Sequence, residues 1–313
     1  MSSLHTTGPT VNELGHCISR DKTLPGVEKS ENITIVWFGV SVTGWAQYTY
    51  ERGQKYCIKM IATREEVSMQ RATAMLDPAL EDMQLLMSGD ISFSYPYDPK
   101  DPVILQYKST FYEQLENFHK PDAVGKQTSI LQSNDWVVIF SRENNFGHGK
   151  GIMIKGKVVH VKSIDGEKLE FDIEKVVFAS SSHLEDSKHM LILQRRHGVH
   201  HSRVYTCASV EEMFALVSSA PHVITDRYHP GVASMIVGTK LTLTSYKLEA
   251  TKMEGLRKMQ KFSHAEILAM NEKAFSSLLK VINKEQRDTS KDPLKEPSYR
   301  TKKKIEPIFN KPL

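Results

Sequence analysis

Apolar positions along this chain recur with two periods, and the switches between them mark out its elements. Residues 32–38 form a short apolar run that stops at Gly39, as a strand does. A helical pattern over residues 48–55 and a second strand over 56–62 follow. From Glu65 to Met75 the spacing is again helical, with Val67, Ala72 and Met75 available for one face. Residues 85–93 are strand-like around Gly89. Pro96, Pro99 and Pro102, with Asp98 and Asp101, then predict a linker. Residues 1–31 show no period and are rich in Ser, Thr, Gly and Pro, so a loose leader is expected there.

Beyond the linker, strand and helix patterns alternate. Strands are predicted at 135–142, 175–180, 203–207, 222–225 and 241–244. Helices are predicted at 184–196, after Ser209, at 232–237 and after Ser263. Ser209 with Glu212, and Ser263 with Glu266, each carry capping-box spacing. Met213, Leu216 and Val217 point inward from the first of these helices; Ile267, Met270, Ala274, Leu278 and Val281 do so from the second. Such βαβα alternation implies parallel sheets. Residues 146–174 depart from it: Ile152 and Ile154 alternate, as do Leu169 and Phe171, around Asp165-Gly166, and this predicts an inserted β-hairpin.

Composition narrows the class. At 313 residues with 40% hydrophobic and 25% charged positions, the chain has the make-up of a globular protein with room for about two domains. The net charge of +4 has a local origin. Residues 284–313 hold nine Lys/Arg and five Asp/Glu, which leaves 32 of each sign (41 − 9 and 37 − 5) in the remainder. A basic, Pro-punctuated, disordered tail is therefore expected, and nucleic acid is not expected as a partner. The apolar runs have the length of strands and not of bilayer spans, and the first residues lack a secretory signal pattern. Three widely spaced cysteines, Cys17, Cys57 and Cys207, suit neither a disulfide scaffold nor a zinc ribbon. The default expectation is a soluble, cytoplasmic protein; the Asn32-Ile-Thr34 triplet would matter only in a secretory lumen.

Candidate chemistry concentrates between residues 223 and 234. An apolar strand there delivers Asp226, Arg227 and His229 to its end, and a Pro-Gly step precedes the next helix. α/β folds build their sites at such strand ends. Arg227 offers a permanent cation with a planar fork of donors, suited to phosphate or carboxylate. His229 can move a proton near neutral pH. An ordinary strand end with polar residues facing water fits the spacing equally well. Gly147-His-Gly-Lys-Gly151 lacks the spacing of a phosphate-binding loop, and His197, His200 and His201 have no Cys or carboxylate at ligand spacing, so a loop with exposed histidines and no metal is expected.

Together these segments resemble the polysaccharide pyruvyltransferase family. The strongest match is Thr225-Asp-Arg-Tyr-His-Pro-Gly-Val-Ala233, similar to the family's strand-end Arg-x-His and small-residue helix. Arg64-Glu-Glu-Val-Ser68 is similar to its Arg-Glu-x-x-Ser helix start, and Asp90-Ile-Ser-Phe93 to its Asp-x-x-Phe segment. Phe140-Ser-Arg-Glu143 resembles the first strand end of the second domain, and Lys252-Met-Glu-Gly255 its late Lys-x-x-Gly motif. The order is that of the family from about residue 33 to 283. The family's Gly-Asn-x-Gly-Asp loop has no counterpart, so a truncated N-terminal lobe is expected.

The resemblance implies an α/β, GT-B-like fold of Rossmann-type parallel sheets. Its expected units are a partial first lobe at 32–103, a second at 104–283 with the hairpin inserted at 146–174, and the tail from 284. It implies transfer of a pyruvyl group from phosphoenolpyruvate to a glycan with two free hydroxyls, forming a ketal, with no cofactor or metal; a homo-oligomer is compatible with it. His229 is then the candidate acid/base. Arg227, Arg142 and Lys252 are candidate substrate contacts, and a salt bridge with Glu143 is the alternative for Arg142. Asp226, Arg64, Glu65 and Ser68 are assigned structural or secondary parts. Two alternatives remain: a GT-B nucleotide-sugar glycosyltransferase, whose ribose carboxylate would be Glu211 or Glu212, and a non-catalytic binding protein or remnant of the same fold.

Overall fold

The computed structural model describes residues 10–11, 17–18, 35–41, 58–75, 83–116, 135–141, 151–181, 195–244 and 250–290. Arg142, the glycine-rich stretch at 147–150, the predicted helix at 48–55 and most of the one at 184–196 lie outside the described residues, as do nearly all of the leader and residues 291–313.

After a two-residue antiparallel pairing of β1 (Thr10–Val11) with β2 (Cys17–Ile18), the first parallel sheet forms. It consists of β3 (Ile35–Val40), β4 (Ile58–Thr63) and β5 (Gln84–Met87), in that order. Helix α1 (Glu66–Met75) joins β4 to β5. The chain then makes a short 3-10 turn at Ile91–Ser94, with Asp90 as its cap. Where the prolines predict only a linker, α2 (Pro102–Glu116) begins on the last of them, because Pro is tolerated in a helix's first turn. Asp101 caps it through Val103 N at 2.8 Å. Ile104, Phe111 and Leu115, at spacings of seven and four, bury its inner face.

The second sheet is also parallel, in the order β11-β10-β6-β12-β13. Its strands are β6 (Val137–Phe140), β10 (Val176–Ser180), β11 (Val204–Thr206), β12 (His222–Thr225) and β13 (Lys240–Leu243). The expected hairpin is larger than predicted. β7 (Ile152–Lys155), β8 (Val158–Lys162) and β9 (Lys168–Asp172) make a three-stranded antiparallel meander. It forms part of the crossover from β6 to β10, where a helix is usual. Its apolar residues Ile152, Val159 and Val161 cover one face of the sheet with Val137, Ile139, Val176, Phe178 and Ile224. Alternate residues Trp136, Val138, Phe140, Val177, Ala179 and Val223 face the other side. There they meet α2 and the buried face of α3 (Val210–Ser219). Strands buried on both faces read as continuous apolar runs, as these do.

Helix α4 (Tyr228–Val237) follows β12, and α5 (Ala250–Met259) and α6 (His264–Ser290) follow β13. The Ser263–Glu266 capping box opens α6 as its spacing predicts, with Glu266 N donating to Ser263 Oγ and Ser263 N to Glu266 Oε2 at 2.7 Å. α6 does not stay with the second sheet. Its Ala274 and Val281 pack against Met60 and Ala62 of β4, with Val36, Phe38 and Leu86 alongside. One long helix thus ties the end of the chain to the first sheet. The result is an α/β, GT-B-like layout: two Rossmann-type parallel sheets whose carboxyl ends meet.

Candidate functional site

Strand order decides where a site can form. From β6 the second sheet runs outward through β10 to β11, and the chain then returns to lay β12 on the other flank of β6. The crevice past the carboxyl ends of β6 and β12 is where the order reverses, and open α/β sheets take their ligands at such points. Ser141 and Asp226, the first residues beyond these strands, are both buried, and Ser141 Oγ donates to Asp226 Oδ2 at 2.5 Å. Arg227 N donates to Thr225 Oγ1 at 2.8 Å, so the turn out of β12 is held from within.

Pro230 and Gly231, expected as a break before a helix at 232–237, instead lie inside the first turns of α4. Proline is tolerated there because its missing N–H would have had no partner within the helix. Gly231 is selected by contact: a Cβ would stand 2.5 Å from Cδ2 of Leu256, which is itself fully buried. Consequently His229 sits in the first turn of a helix, and Arg227 is the residue that caps it. Arg227 makes no side-chain cap. The start of α4, the positive end of its dipole, therefore stands in the crevice beside a guanidinium, an arrangement receptive to anions.

A second cation arrives from the other sheet. Arg64, just past β4, donates from Nη1 to Asp90 Oδ2 at 3.0 Å and from Nε to Ser41 Oγ at 2.5 Å. Its guanidinium lies over the Tyr228 ring, 4.1 Å from the centroid. Asp90 is anchored in turn, accepting from Ser92 N at 2.9 Å, while its carbonyl accepts from Asn271 Nδ2 of α6 at 3.3 Å. Tyr228 is buried, with its ring edge-on to His229 and its hydroxyl without a hydrogen-bond partner. His229 itself is exposed at the crevice mouth. Desolvation by the protein around it is the main cause lowering its pKa; Arg64 and Arg227 add to this, while Asp90 opposes. Its imidazole is therefore held neutral at pH 7 and able to accept a proton.

Each residue singled out in the sequence has a definite place. Arg227, His229, Asp226 and Arg64 converge on this crevice. Glu65 and Ser68 lie beneath it, both fully buried; Glu65 accepts from Ser68 N at 2.8 Å, from Ser68 Oγ, and from Ser41 Oγ at 3.1 Å. Gly255 lets α5 approach this carboxylate, since a Cβ there would be 2.7 Å from Glu65 Cγ. Lys252 is half-buried on α5, whose Met253 and Leu256 pack under Tyr228. Arg142 lies outside the described residues. His197 and His200 are half-buried and only His201 is exposed; no group of His, Cys, Asp and Glu among the described residues could hold a metal. No helix among them is long and apolar enough to cross a membrane. Reading the sequence missed Tyr228 and Asp90 as site residues. Asp90 carried a signal, its place in the Asp-x-x-Phe segment. Tyr228 carried none, since its contact with Arg64 is made across two sheets.

Fold and crevice define an α/β protein with an anion-receptive cleft between two parallel sheets, flanked by two arginines and a neutral histidine. The chain belongs to the polysaccharide pyruvyl transferase family, whose model matches residues 18–247. No curated protein matches it. Among solved structures it is similar to one described as a UDP-N-acetylglucosamine 2-epimerase from Listeria monocytogenes, at 11% identity and a TM-score of 0.37. That likeness covers 77% of this chain and 61% of the other, so the chain spans less than two thirds of that protein's length. Another is the wall teichoic acid polymerase TagF, at 13% identity and a TM-score of 0.32, covering 93% of this chain and 69% of that one.

Proposed function

We propose that this protein transfers a pyruvyl group from phosphoenolpyruvate to a glycan and closes it into a cyclic ketal at the crevice around His229. The observation that carries the reading is the convergence of Arg227, the uncapped start of α4 and Arg64 beside a neutral imidazole. Phosphoenolpyruvate bears a phosphate and a carboxylate on one small frame, and a helix start flanked by cations suits both. In the first step an acceptor hydroxyl adds to C2 of the enol while C3 gains a proton and becomes a methyl group. The proton lost by the hydroxyl is the proton C3 gains, and His229 is the group placed to carry it. In the second step the other hydroxyl bonds to the same C2, the C2–O bond to phosphate breaks, and phosphate leaves with that hydroxyl's proton. Arg227 and the α4 amides offset the charge that builds on the departing phosphate. No cofactor or metal enters this scheme.

Nucleotide-sugar transfer is less well supported. Its candidate ribose carboxylates are already engaged: Glu211 Oε1 accepts from Tyr95 Oη at 3.1 Å, and Glu212 accepts from Ala208 N. The test is calorimetric titration of the full chain with phosphoenolpyruvate, alongside Arg227→Ala and His229→Ala. Saturable binding that is lost in Arg227→Ala and kept in His229→Ala is the expected result. In a coupled phosphate-release assay with acceptor, His229→Ala should lose about 10²–10⁴-fold in turnover. A folded wild-type protein that does not bind the donor would leave a non-catalytic member of the fold instead.

A further inference from the structure

Next to the crevice, on the β10–β11 side, lies a cavity of about 430 Å³ that the donor chemistry leaves unused. His229 stands at one wall; Tyr95, Val210, Met213, Val232 and Ile236 are among the residues that line the rest. Tyr95 is stacked on Phe214, with ring centroids 4.5 Å apart and planes 13° off parallel, so the wall is broad and apolar. The start of α3 also borders this space, and a free helix start would attract anions. This one is closed. Ser209 Oγ accepts from Glu212 N at 3.1 Å, Glu212 returns to Ala208 N, and Glu211 holds the Tyr95 hydroxyl. Two carboxylates therefore stand at the helix's positive end, behind an apolar lining.

We propose that this cavity is the acceptor subsite and takes an uncharged sugar ring with an apolar face or substituent, excluding diphosphate groups. The assignment rests on the phosphoenolpyruvate reading, which places the anions at Arg227. His229 links the two spaces, because it lines the cavity and also stands within reach of the Arg64 and Arg227 charges, so a hydroxyl on a ring in the cavity and C2 of the donor can meet at one imidazole. The size lies in the ordinary range of small-molecule sites, roughly 300–1,000 Å³. The charges divide the ligands between the two spaces, with anion to α4 and neutral ring to α3.

The test uses phenyl β-D-glucopyranoside, an uncharged ring with free 4- and 6-hydroxyls and an apolar substituent, and uridine diphosphate as its anionic counterpart. Each is titrated into the full chain, into Val210→Trp and into Met213→Trp, with phosphoenolpyruvate titrated in parallel. Val210 is exposed at the cavity rim in the first turn of α3, so a larger side chain there narrows the cavity without entering the core. The expected result is saturable binding of the glucoside, at least 10-fold weaker in both variants, unchanged phosphoenolpyruvate binding, and no binding of uridine diphosphate. Glucoside binding insensitive to both variants, or variant-sensitive binding of uridine diphosphate, would overturn the proposal. Donor binding without glucoside binding would sink the acceptor subsite alone. Glucoside binding without donor binding would remove the pyruvyl-transfer reading on which the subsite rests.

Discussion

Two helices start at the carboxyl edge of the same sheet, α3 after β11 and α4 after β12, and they are finished in opposite ways. α3 has what a stable helix start calls for: a Ser209 cap, a reciprocal bond from Glu212, and acidic residues in the first turn. Hydrogen bonds from the first-turn backbone, and then from Ser209 and Tyr95, hold Glu211 below the usual carboxylate range against its partial burial. α4 has none of this. Its cap position is a cation, its first turn contains a proline and a histidine, and Arg64 comes in from the other sheet to lie over Tyr228. One start carries a side-chain cap, and the other has a cation in the cap position and no side-chain cap. A helix start without a side-chain cap, in a fold whose α3 and α6 are both capped, is the kind of local inconsistency that marks a site.

Making α4 resemble α3 gives the largest expected effect. Arg227 has the extended backbone that cap residues adopt, with φ −104° and ψ 133°. Arg227→Asp should therefore cap α4 and hold or raise the thermal midpoint, while weakening phosphoenolpyruvate about 100-fold or more through the reversed charge. Calorimetry beside a melting curve separates the two. A variant that melts higher and still binds the donor would break the contrast.

Gly231→Ala comes next. The new methyl would press on Leu256 in a buried contact, with an expected cost of about 1–3 kcal/mol in denaturant unfolding and a displaced start of α4. Unchanged stability would mean that α4 is free to shift and that its open start is not held in place. A third comparison uses the two histidines that flank β12. Burial, with a smaller contribution from Lys240, lowers the pKa of His222 to about 4, and its Nε2 pairs with Thr242 Oγ1 at 2.9 Å. The unfolded chain takes up this proton first. The stabilisation is therefore full above about pH 6.5 and is lost as the pH falls toward 4. His222→Gln should flatten that decline in the melting temperature, whereas His229→Ala, which removes an imidazole shifted in the same direction, should flatten it less. Ser209→Ala is the smallest change: about 1 kcal/mol of stability lost, with donor binding untouched, read from the same denaturation curves.

Much of the α3 side was legible in the sequence. Its capping box is local, spanning four residues, and its strand and apolar face follow from spacing alone. The strands of both sheets, the start of α6 and the Arg227–His229 pair were legible for the same reason. The α4 side was legible only in its residue types. Pro230-Gly231 reads as a break by local propensity, and only Leu256, pressing from another helix, turns the glycine into a packing requirement. α2 was hidden behind prolines that predict a linker. The meander was underestimated because one turn signal at Asp165-Gly166 indicates one hairpin and says nothing of a third strand. Arg64 and Asp90 were visible as motif residues, but their meeting with Tyr228 was not.

By itself, then, the sequence determined the α/β class, the parallel alternation of its elements, two helix caps and the cation and histidine that follow β12, because each depends on neighbours within a few residues. The tertiary structure alone decided that β12 returns beside β6 to open a crevice, and that Arg64 enters it from another sheet to lie over Tyr228. Those outcomes depend on contacts far apart in sequence, 85 positions between the paired residues of β6 and β12 and more between Arg64 and Tyr228, and local periodicity carries no record of such distances.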